Sequence, residues 1–268
     1  MTAVALTIAG SDPGGGAGIQ ADLKTFAALG VYGASVITAL TAQNTMGVTA
    51  IHDVPDDFIA AQMDAVFSDL AVTAVKIGML SQVAAIKAVA AGLRRHHAKK
   101  MVLDPVMVAS SGERLLSNEA LAVLRRELIP YVLMVTPNLP EAAALTGANL
   151  ARDEKEMEVQ ARQILSLGAH TVLIKGGHGE GEKAVDLLIG QGEVVRLSAK
   201  RMATKNTHGT GCTLSSAIAA GLAKGLDFIA ATQEAKAYVT AAIANADALQ
   251  VGHGHGPLHH FYREWREP

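Results

Sequence analysis

The sequence predicts an α/β/α sandwich, in which a mostly parallel sheet is covered by helices on both faces and carries an antiparallel hairpin at one edge. Short apolar runs alternate with segments of helical periodicity along nearly the whole chain, which is typical of parallel strands buried on both faces. Two of these runs are separated only by Gly190-Gln191-Gly192-Glu193, which favours a hairpin. Half of the residues are hydrophobic and only 18% are charged, as expected of a chain with a large buried core.

The predicted elements follow one another in a regular order. An apolar run at residues 3–9 is closed by the glycine-rich segment 10–16, and apolar residues then recur at helical spacing up to Gly30. Further strands are predicted at residues 31–40, 72–77, 101–103, 131–135, 171–174, 184–189 and 194–197. Helices are predicted at residues 56–70, 83–93, 121–128, 155–167, 213–224 and 228–249, and a short one begins at residue 138. No repeat or linker interrupts this order, so we expect one domain over residues 1–268.

Charge and composition exclude several classes of function. The chain has 23 basic and 25 acidic residues and a formal net charge of −2, which gives no global field for binding nucleic acid or an anionic membrane. No apolar stretch reaches the length of about 18 residues that a membrane span needs. The single cysteine, Cys212, excludes an internal disulfide framework and fits a reducing, cytoplasmic compartment. The C-terminal segment, residues 251–268, carries histidines that we expect to be solvated rather than metal-bound: His253, His255, His259 and His260.

The clearest local signal for a ligand is the run Asn206-Thr207-His208-Gly209-Thr210-Gly211-Cys212-Thr213, a glycine-rich turn that leads into a helix. Consecutive backbone N–H groups in such a turn can point at an anion, and the helix N-terminus adds about half a positive charge, so a phosphoryl group would be stabilised there. A tight turn with Thr210 or Thr213 as the helix cap would give the same pattern. Cys212 lies where the helix begins, which lowers a thiol pKa, so it could accept a hydroxyl proton.

Six blocks of the sequence, in their order and spacing, resemble hydroxymethylpyrimidine kinases of the ribokinase-like superfamily. The blocks are AGSDPGGGAGIQADLKT (residues 9–25), TALTAQNT (38–45), KIGML (76–80), LDPVMV (103–108), TPNLPEA (136–142) and the loop that contains Cys212. The resemblance implies a ribokinase-like fold, a homodimer, and ATP- and Mg²⁺-dependent phosphorylation of a small aminopyrimidine. The implied substrates are 4-amino-5-hydroxymethyl-2-methylpyrimidine and then its monophosphate, in thiamine biosynthesis.

The same resemblance implies which residues bind the pyrimidine. Gln43 would hydrogen-bond the ring edge through its carboxamide, because the amide and the ring edge each offer both a donor and an acceptor. The other residues implied at the pyrimidine are Gly10, Asp22, Met79 and Val106. Asp22 is expected to face the pocket from the first helix.

A second implied group binds the nucleotide and the transferring phosphoryl group. Lys175 would reach the β- and γ-phosphates, and the catalytic loop would supply Gly209, Thr210, Gly211 and Cys212. Asn138 and Thr207 would contact ATP, and Asp104 and Glu141 would hold Mg²⁺ through water. Asn138 and Glu141 also fit a helix capping box, which leaves a purely structural interpretation open. Many superfamily members have aspartate as the base at the position of Cys212, so the identity of the base is open as well.

Two other functions are compatible with parts of this pattern. A pyridoxal or pyridoxamine kinase on the same fold would phosphorylate a similar hydroxymethyl group on a six-membered ring, but Gln43 favours a pyrimidine. A non-catalytic nucleotide sensor would need the phosphate-binding loop without Lys175 or Cys212, and both residues are present.

Overall fold

The computed structural model describes residues 2–108, 115–178, 181–190 and 192–265. Its strands are β1 Val4–Ala9, β2 Tyr32–Ile37, β3 Ala39–Asn44, β4 Gly47–Asp53, β5 Ala74–Ile77, β6 Met101–Leu103, β7 Met134–Val135, β8 Thr171–Ile174, β9 Lys183–Ile189 and β10 Val194–Lys200. Its α-helices are α1 Gly18–Ala28, α2 Asp56–Asp69, α3 Val83–Arg95, α4 Asn118–Glu127, α5 Leu139–Thr146, α6 Glu154–Leu165, α7 Thr210–Ala223 and α8 Phe228–Ala244.

The main sheet has eight strands in the order β10-β9-β8-β7-β6-β5-β1-β2. The strands from β8 to β2 in that order are parallel, whereas β9 pairs antiparallel with both β8 and β10. The β9–β10 register runs from Ile189 opposite Val194 to Lys183 opposite Lys200. The predicted α/β class, with its mostly parallel sheet and antiparallel edge hairpin, is confirmed.

Helices cover both faces of the sheet. Leu6 and Ile8 of β1 pack into a hydrophobic cluster that includes Ile59 of α2 and Ile86 of α3. Their neighbour Ala5 belongs to the cluster on the other face, which is formed with residues of α1, α7 and α8. Successive strand side chains point to opposite faces. Because both faces of the sheet are covered, the central strands β1, β6, β7 and β8 are mostly apolar, and this is the feature that made them recognisable in the sequence.

The region from residue 31 to 53 differs from the prediction. Instead of one strand at residues 31–40, the chain forms β2, breaks at Thr38, and continues as β3, which pairs with β4 in a separate two-stranded antiparallel sheet. Thr38 fixes the break, because its backbone N–H donates to Ala9 and its hydroxyl donates to the Met79 carbonyl. The strand β4 was not predicted, since most of its residues are exposed and its sequence lacks a buried apolar run.

Two helix boundaries bear on the ligand site. The helix α7 begins at Thr210 rather than at residue 213, so the glycine-rich turn contributes directly to its first turn. The helix α8 ends at Ala244, five residues earlier than predicted. Among the described residues, the structure has no helix that is long and apolar enough to cross a membrane.

The C-terminal segment packs against the body of the protein. His259 and His260 are only 7% and 4% exposed, so the prediction that these tail histidines are solvated is wrong for this pair. His260 Nε2 lies 3.0 Å from the Thr213 hydroxyl of α7, and burial lowers the pKa of His260 to about 4. The last three residues of the predicted segment, 266–268, lie outside the described residues.

Candidate active site

The predicted site residues other than Asp22 meet in one cavity of about 1070 Å³ beyond the carboxyl ends of the parallel strands, where α/β sheets bind their ligands. One end of the cavity is formed by Lys175 after β8, Asp104 after β6 and the N-terminus of α7. The other end is formed by β1 and the two-stranded sheet. Among the predicted residues, those that line the cavity are Gly10, Gln43, Met79, Asp104, Val106, Asn138, Glu141, Lys175, Thr207, Gly209, Thr210, Gly211 and Cys212.

The glycines of the glycine-rich turn are packed closely against neighbouring groups. Gly209 caps α7 with a left-handed backbone, at φ 80°, and a Cβ there would overlap the Gly16 carbonyl oxygen. A Cβ on Gly211 would lie 3.2 Å from Lys175 Nζ and 3.4 Å from Asp104 Oδ2. Because Gly209 and Gly211 have no side chains, the backbone at the N-terminus of α7 lies against Lys175 and Asp104. The first N–H groups of a helix have no acceptor within the helix, so they are available to a ligand.

Lys175 is held by two buried carboxylates. Its Nζ is 2.6 Å from Asp104 Oδ1 and 3.8 Å from Glu141 Oε2, and Asp104 Oδ1 also accepts a hydrogen bond from the Thr136 hydroxyl at 3.1 Å. Burial alone would lower the pKa of Lys175, but the attraction of the two carboxylates outweighs it and raises the pKa. The ammonium is therefore charged and fixed in place before any ligand arrives.

Glu141 has two roles in the geometry. It forms the capping box of α5 with Asn138, whose backbone N–H donates to Glu141 Oε2 at 2.7 Å and whose Oδ1 accepts from the Glu141 N–H at 2.8 Å. Burial raises the pKa of Glu141 to about 7, while Lys175 opposes the rise and Asp104 adds to it. Both the structural and the ligand-binding interpretation of this pair are thus compatible with the structure.

The oxygen ligands present suit Mg²⁺ as a bridge to phosphates rather than as a metal held by protein alone. Asp104 and Glu141 place two carboxylates beside Lys175 in the cavity, and Mg²⁺ commonly uses one or two carboxylates together with substrate phosphates and water. No cluster of three or more His, Cys, Asp or Glu residues that could hold a metal exists within the described parts of the chain.

The structure corrects the expectation that the Cys212 thiol has a low pKa. Burial raises the pKa of Cys212 to about 11, because desolvation of a thiolate, together with the negative charges of Asp22 and Asp104, outweighs the attraction of Lys76. The Gly18 N–H, in the first turn of α1, also stabilises the thiolate but does not reverse the balance. Cys212 is therefore a neutral thiol at physiological pH.

The expectation that Asp22 faces the pocket from the first helix is wrong, because Asp22 does not line the cavity. Asp22 and Lys76 are both fully buried, with Lys76 Nζ at 3.0 and 2.8 Å from the two carboxylate oxygens of Asp22. The carboxylate also accepts hydrogen bonds from Thr7 and Ser216, each at 2.6 Å. Because its oxygens bind these donors, Asp22 anchors Lys76 next to Cys212 instead of facing the ligand.

The end of the cavity formed by β1 and the two-stranded sheet combines apolar groups with one carboxamide. Met79 reaches the cavity because Gly10 has no side chain. A Cβ on Gly10 would lie 2.5 Å from the Met79 methyl group. The Gln43 amide lies 3.2 Å from the Thr41 hydroxyl and 3.4 Å from His208 Nε2. His208 Nε2 is in turn 2.9 Å from the buried Asp12 carboxylate, so the loop that follows β1 and the loop that precedes α7 are joined.

The family model for phosphomethylpyrimidine kinase matches residues 12–259. The chain belongs to the phosphomethylpyrimidine kinase family. It is 62% identical over 267 residues to a hydroxymethylpyrimidine/phosphomethylpyrimidine kinase of Rhizobium meliloti, covering the full length of both proteins.

Solved structures place the fold of this phosphomethylpyrimidine kinase family member among vitamin kinases. The phosphomethylpyrimidine kinase of Clostridium difficile is 46% identical, with a TM-score of 0.80 over 90% of this chain and 99% of that one. An ADP complex of pyridoxal kinase from Bacillus subtilis is 38% identical, with a TM-score of 0.90 over 97% of this chain and 98% of that one.

Sequence reasoning missed several residues that organise this phosphomethylpyrimidine kinase fold around its cavity. Asp12, Lys76 and His208 lie inside the recognised motifs but had been assigned no role. Their common signal is a charged or titratable side chain within a glycine-rich or apolar segment, where a buried partner is required. The partner could not be identified from one sequence, because Asp12 and His208 are 196 residues apart.

Proposed function

We propose that this chain transfers the terminal phosphoryl group of ATP to 4-amino-5-hydroxymethyl-2-methylpyrimidine, and then to the resulting monophosphate, as a step of thiamine biosynthesis. The observation that carries the proposal is the division of one continuous cavity. Lys175 and the N-terminus of α7 form one end, and the Gln43 carboxamide with its apolar neighbours forms the other. A phosphate donor and a small polar ring can therefore be bound side by side, each by groups of matching chemistry.

Phosphoryl transfer at this site depends mainly on positioning and charge. Lys175 supplies a positive charge where negative charge develops on the transferring group, and the N–H groups of Gly211 and Cys212 add the polarity of the helix terminus. The 2.6 Å contact with Asp104 holds the ammonium in place beforehand. Little reorganisation is then needed when the transition state forms.

Mg²⁺ bound with ATP would supply positive charge against the phosphates. Asp104 and Glu141 are the residues that would hold it, through water.

Cys212 does not act as a thiolate that is ready to accept a proton. As a neutral thiol it can hydrogen-bond the substrate hydroxyl, whose proton is lost late in a loose transition state.

The choice between a pyrimidine and pyridoxal rests on sequence identity and on Gln43. Fold similarity does not separate the two, since the TM-score is 0.90 to a pyridoxal kinase and 0.80 to a phosphomethylpyrimidine kinase. The 62% identity to the Rhizobium meliloti enzyme favours the pyrimidine. A carboxamide also matches the alternating donor and acceptor of an aminopyrimidine edge.

The test is ADP release with ATP and Mg²⁺ against a panel of hydroxymethylpyrimidine, its monophosphate, pyridoxal, pyridoxamine, ribose and adenosine. We expect turnover of the first two, with a kcat/KM at least tenfold above that for pyridoxal. A higher kcat/KM for pyridoxal would overturn the substrate assignment while leaving the kinase fold intact. No turnover of any compound would favour a nucleotide sensor.

We also propose that the protein acts in the cytoplasm as a homodimer. The resemblance to hydroxymethylpyrimidine kinases is the basis for both, and the two-stranded sheet offers a surface for the dimer. Leu40 of β3 and Met46 in the β3–β4 turn are exposed there. Sedimentation of the wild-type chain and of a Leu40→Glu/Met46→Glu variant tests this, with a shift from dimer to monomer expected in the variant.

A further inference from the structure

After α8 the chain returns to the region of the cavity in the run GHGHGP, residues 252–257, which we call the C-terminal strap. Its glycines lie against other parts of the chain at distances that leave no room for a side chain. A Cβ on Gly254 would overlap the Thr45 carbonyl oxygen, and a Cβ on Gly256 would overlap the Asn206 side-chain oxygen. The strap is therefore in backbone contact with two segments that are far away along the chain.

The first of these segments is the tip of the two-stranded sheet. Thr45 directly follows β3, and its hydroxyl oxygen accepts the backbone N–H groups of His253 and Gly254 at 3.2 and 3.1 Å. Its carbonyl oxygen accepts the N–H of His255 at 3.0 Å. Three successive N–H groups of the strap thus bind one residue. Thr45 does not line the cavity, but it lies two residues after Gln43.

The second segment is the turn that precedes α7. The backbone N–H of His208 donates to the Gly256 carbonyl at 3.0 Å, and His208 pairs with Pro257 in an isolated parallel bridge. His208 directly precedes Gly209, the N-cap of α7. Within a few residues the strap therefore binds both the strand from the ring side of the cavity and the turn from the phosphate side.

The strap is itself fixed to the body of the protein by the residues that follow it. The His259 N–H donates to the Ala242 carbonyl of α8 at 3.2 Å, and the Tyr238 hydroxyl donates to the His260 carbonyl at 2.8 Å. The two-stranded sheet, in contrast, pairs with none of the described strands of the eight-stranded sheet. The position of its tip relative to α7 therefore depends on contacts such as those of the strap.

We propose that the C-terminal strap is a positioning element, which fixes the distance between β3 and the N-terminus of α7 and so places the acceptor group at the phosphoryl-binding turn. The strap acts through the two segments that it joins. A displacement of about 1 Å between reacting groups can cost about 10²-fold in rate, so a fixed distance between the two segments has a direct effect on transfer.

The consequence for the two acceptors rests on the proposed function. In the hydroxymethyl compound the attacking oxygen is attached to the methylene group, so its reach from the ring is short. In the monophosphate the attacking oxygen belongs to the phosphate and lies two bonds further out, on an arm that can rotate. The longer arm can compensate for a displaced ring, whereas the shorter arm cannot. Loosening the strap should therefore slow the first phosphorylation more than the second.

A first test needs no activity and follows hydrogen–deuterium exchange of the ligand-free protein by mass spectrometry. Thr45→Val removes the hydroxyl that binds the strap, and Thr45→Ser, the matched control, keeps it. We expect Thr45→Val to speed exchange both in residues 39–53 and in residues 205–209, with Thr45→Ser close to wild type. Faster exchange confined to residues 253–255 would overturn the proposal, because the strap would then not hold the two segments.

A second test compares kcat for the two acceptors. Gly254→Ala would place a Cβ against the Thr45 carbonyl, and we expect kcat to fall about tenfold or more for the hydroxymethyl compound but only about threefold for the monophosphate. The Kd for ATP should stay within about twofold of wild type. Gly190→Ala is the control, because a Cβ there would lie no nearer than 3.4 Å to any neighbouring group, and it should keep both rates.

A merely structural role of the strap would lower both kcat values alike, and an unchanged ratio of the two would overturn the proposal. Thr45→Val should change the ratio in the same direction by a smaller factor, and it decides the kinetic question if Gly254→Ala does not fold. Failure of wild type to phosphorylate either acceptor would instead reject the proposed function. The exchange experiment would still decide whether the strap holds the two segments together.

Discussion

The two ends of the cavity differ in the chemical groups that form them. The phosphate end consists of buried charges, Lys175 with Asp104 and Glu141, at the ends of parallel strands and beside a helix N-terminus. The pyrimidine end consists of a neutral amide, Gln43, on a small and largely exposed two-stranded sheet. Charge neutralisation is needed by every kinase, whereas the ring to be recognised differs between kinases. We infer that the eight-stranded sheet supplies the groups for phosphoryl transfer and that the smaller sheet supplies the group for ring recognition.

The largest expected effect comes from removing charge at the phosphate end. Lys175→Ala should lower kcat by about 10²-fold or more, the scale of losing one transition-state donor, and should change the pyrimidine KM by less than about twofold. Steady-state kinetics with both substrates varied will measure this. Lys87→Ala, on the exposed side of α3, is the control for loss of a lysine. Equal losses in kcat and in pyrimidine affinity would contradict the separation of the two ends.

The complementary change is made at the pyrimidine end. Gln43→Ala should lower kcat/KM for the pyrimidine by about 10- to 100-fold, or roughly 1–3 kcal/mol, because the buried ring edge loses its partners. The KM for ATP should stay within about twofold of wild type. His52→Ala, exposed on the neighbouring strand β4, is the control. An unchanged specificity constant in a folded Gln43→Ala protein would remove Gln43 from the site.

A smaller effect should distinguish the two ends by pH. The pKa of Glu141 is raised to about 7, so the carboxyl is largely neutral below pH 7 and largely charged above it. Because Mg²⁺ is attracted only by the charged form, the Mg²⁺ concentration for half-maximal rate should fall several-fold between pH 6 and pH 8. Glu141→Gln should flatten this dependence. The pyrimidine KM should not follow the same curve, and a shared curve would show that the two ends are coupled.

The sequence predicted those parts of the molecule whose signals are local. The strand β1 was recognised from its apolar run, and Gly209 and Gly211 were recognised as a turn at a helix N-terminus. The strand β4 was missed because an exposed strand of a two-stranded sheet needs no apolar pattern. Periodicity reports burial, so an element that is not buried gives little signal.

Electrostatics at the site could not be predicted for a related reason. The low pKa expected for Cys212 took account of the helix N-terminus alone. The structure adds burial and the charges of Asp22 and Asp104, which come from segments more than 100 residues away along the chain. The pairing of His208 with Asp12 is of the same kind. Effects on a pKa that come from distant segments of the chain can be predicted only when the fold shows which segments are in contact.

The smallest expected effect concerns Cys212, which lies between the two ends. With its pKa raised to about 11, only about one thiol in a thousand is ionised at pH 8. If the thiolate were the essential base, kcat would rise about tenfold per pH unit across the neutral range, and Cys212→Ser would abolish that slope. We expect instead a nearly flat kcat between pH 7 and pH 9 in both proteins and only a few-fold loss in Cys212→Ser, since serine keeps a hydroxyl that can hydrogen-bond the substrate. Glycine or bulkier substitutions would disturb the turn and confuse the comparison, so Cys212→Ala is the control that removes the hydrogen bond while keeping the backbone. A steep rise in wild type that Cys212→Ser lacks would restore Cys212 as the base.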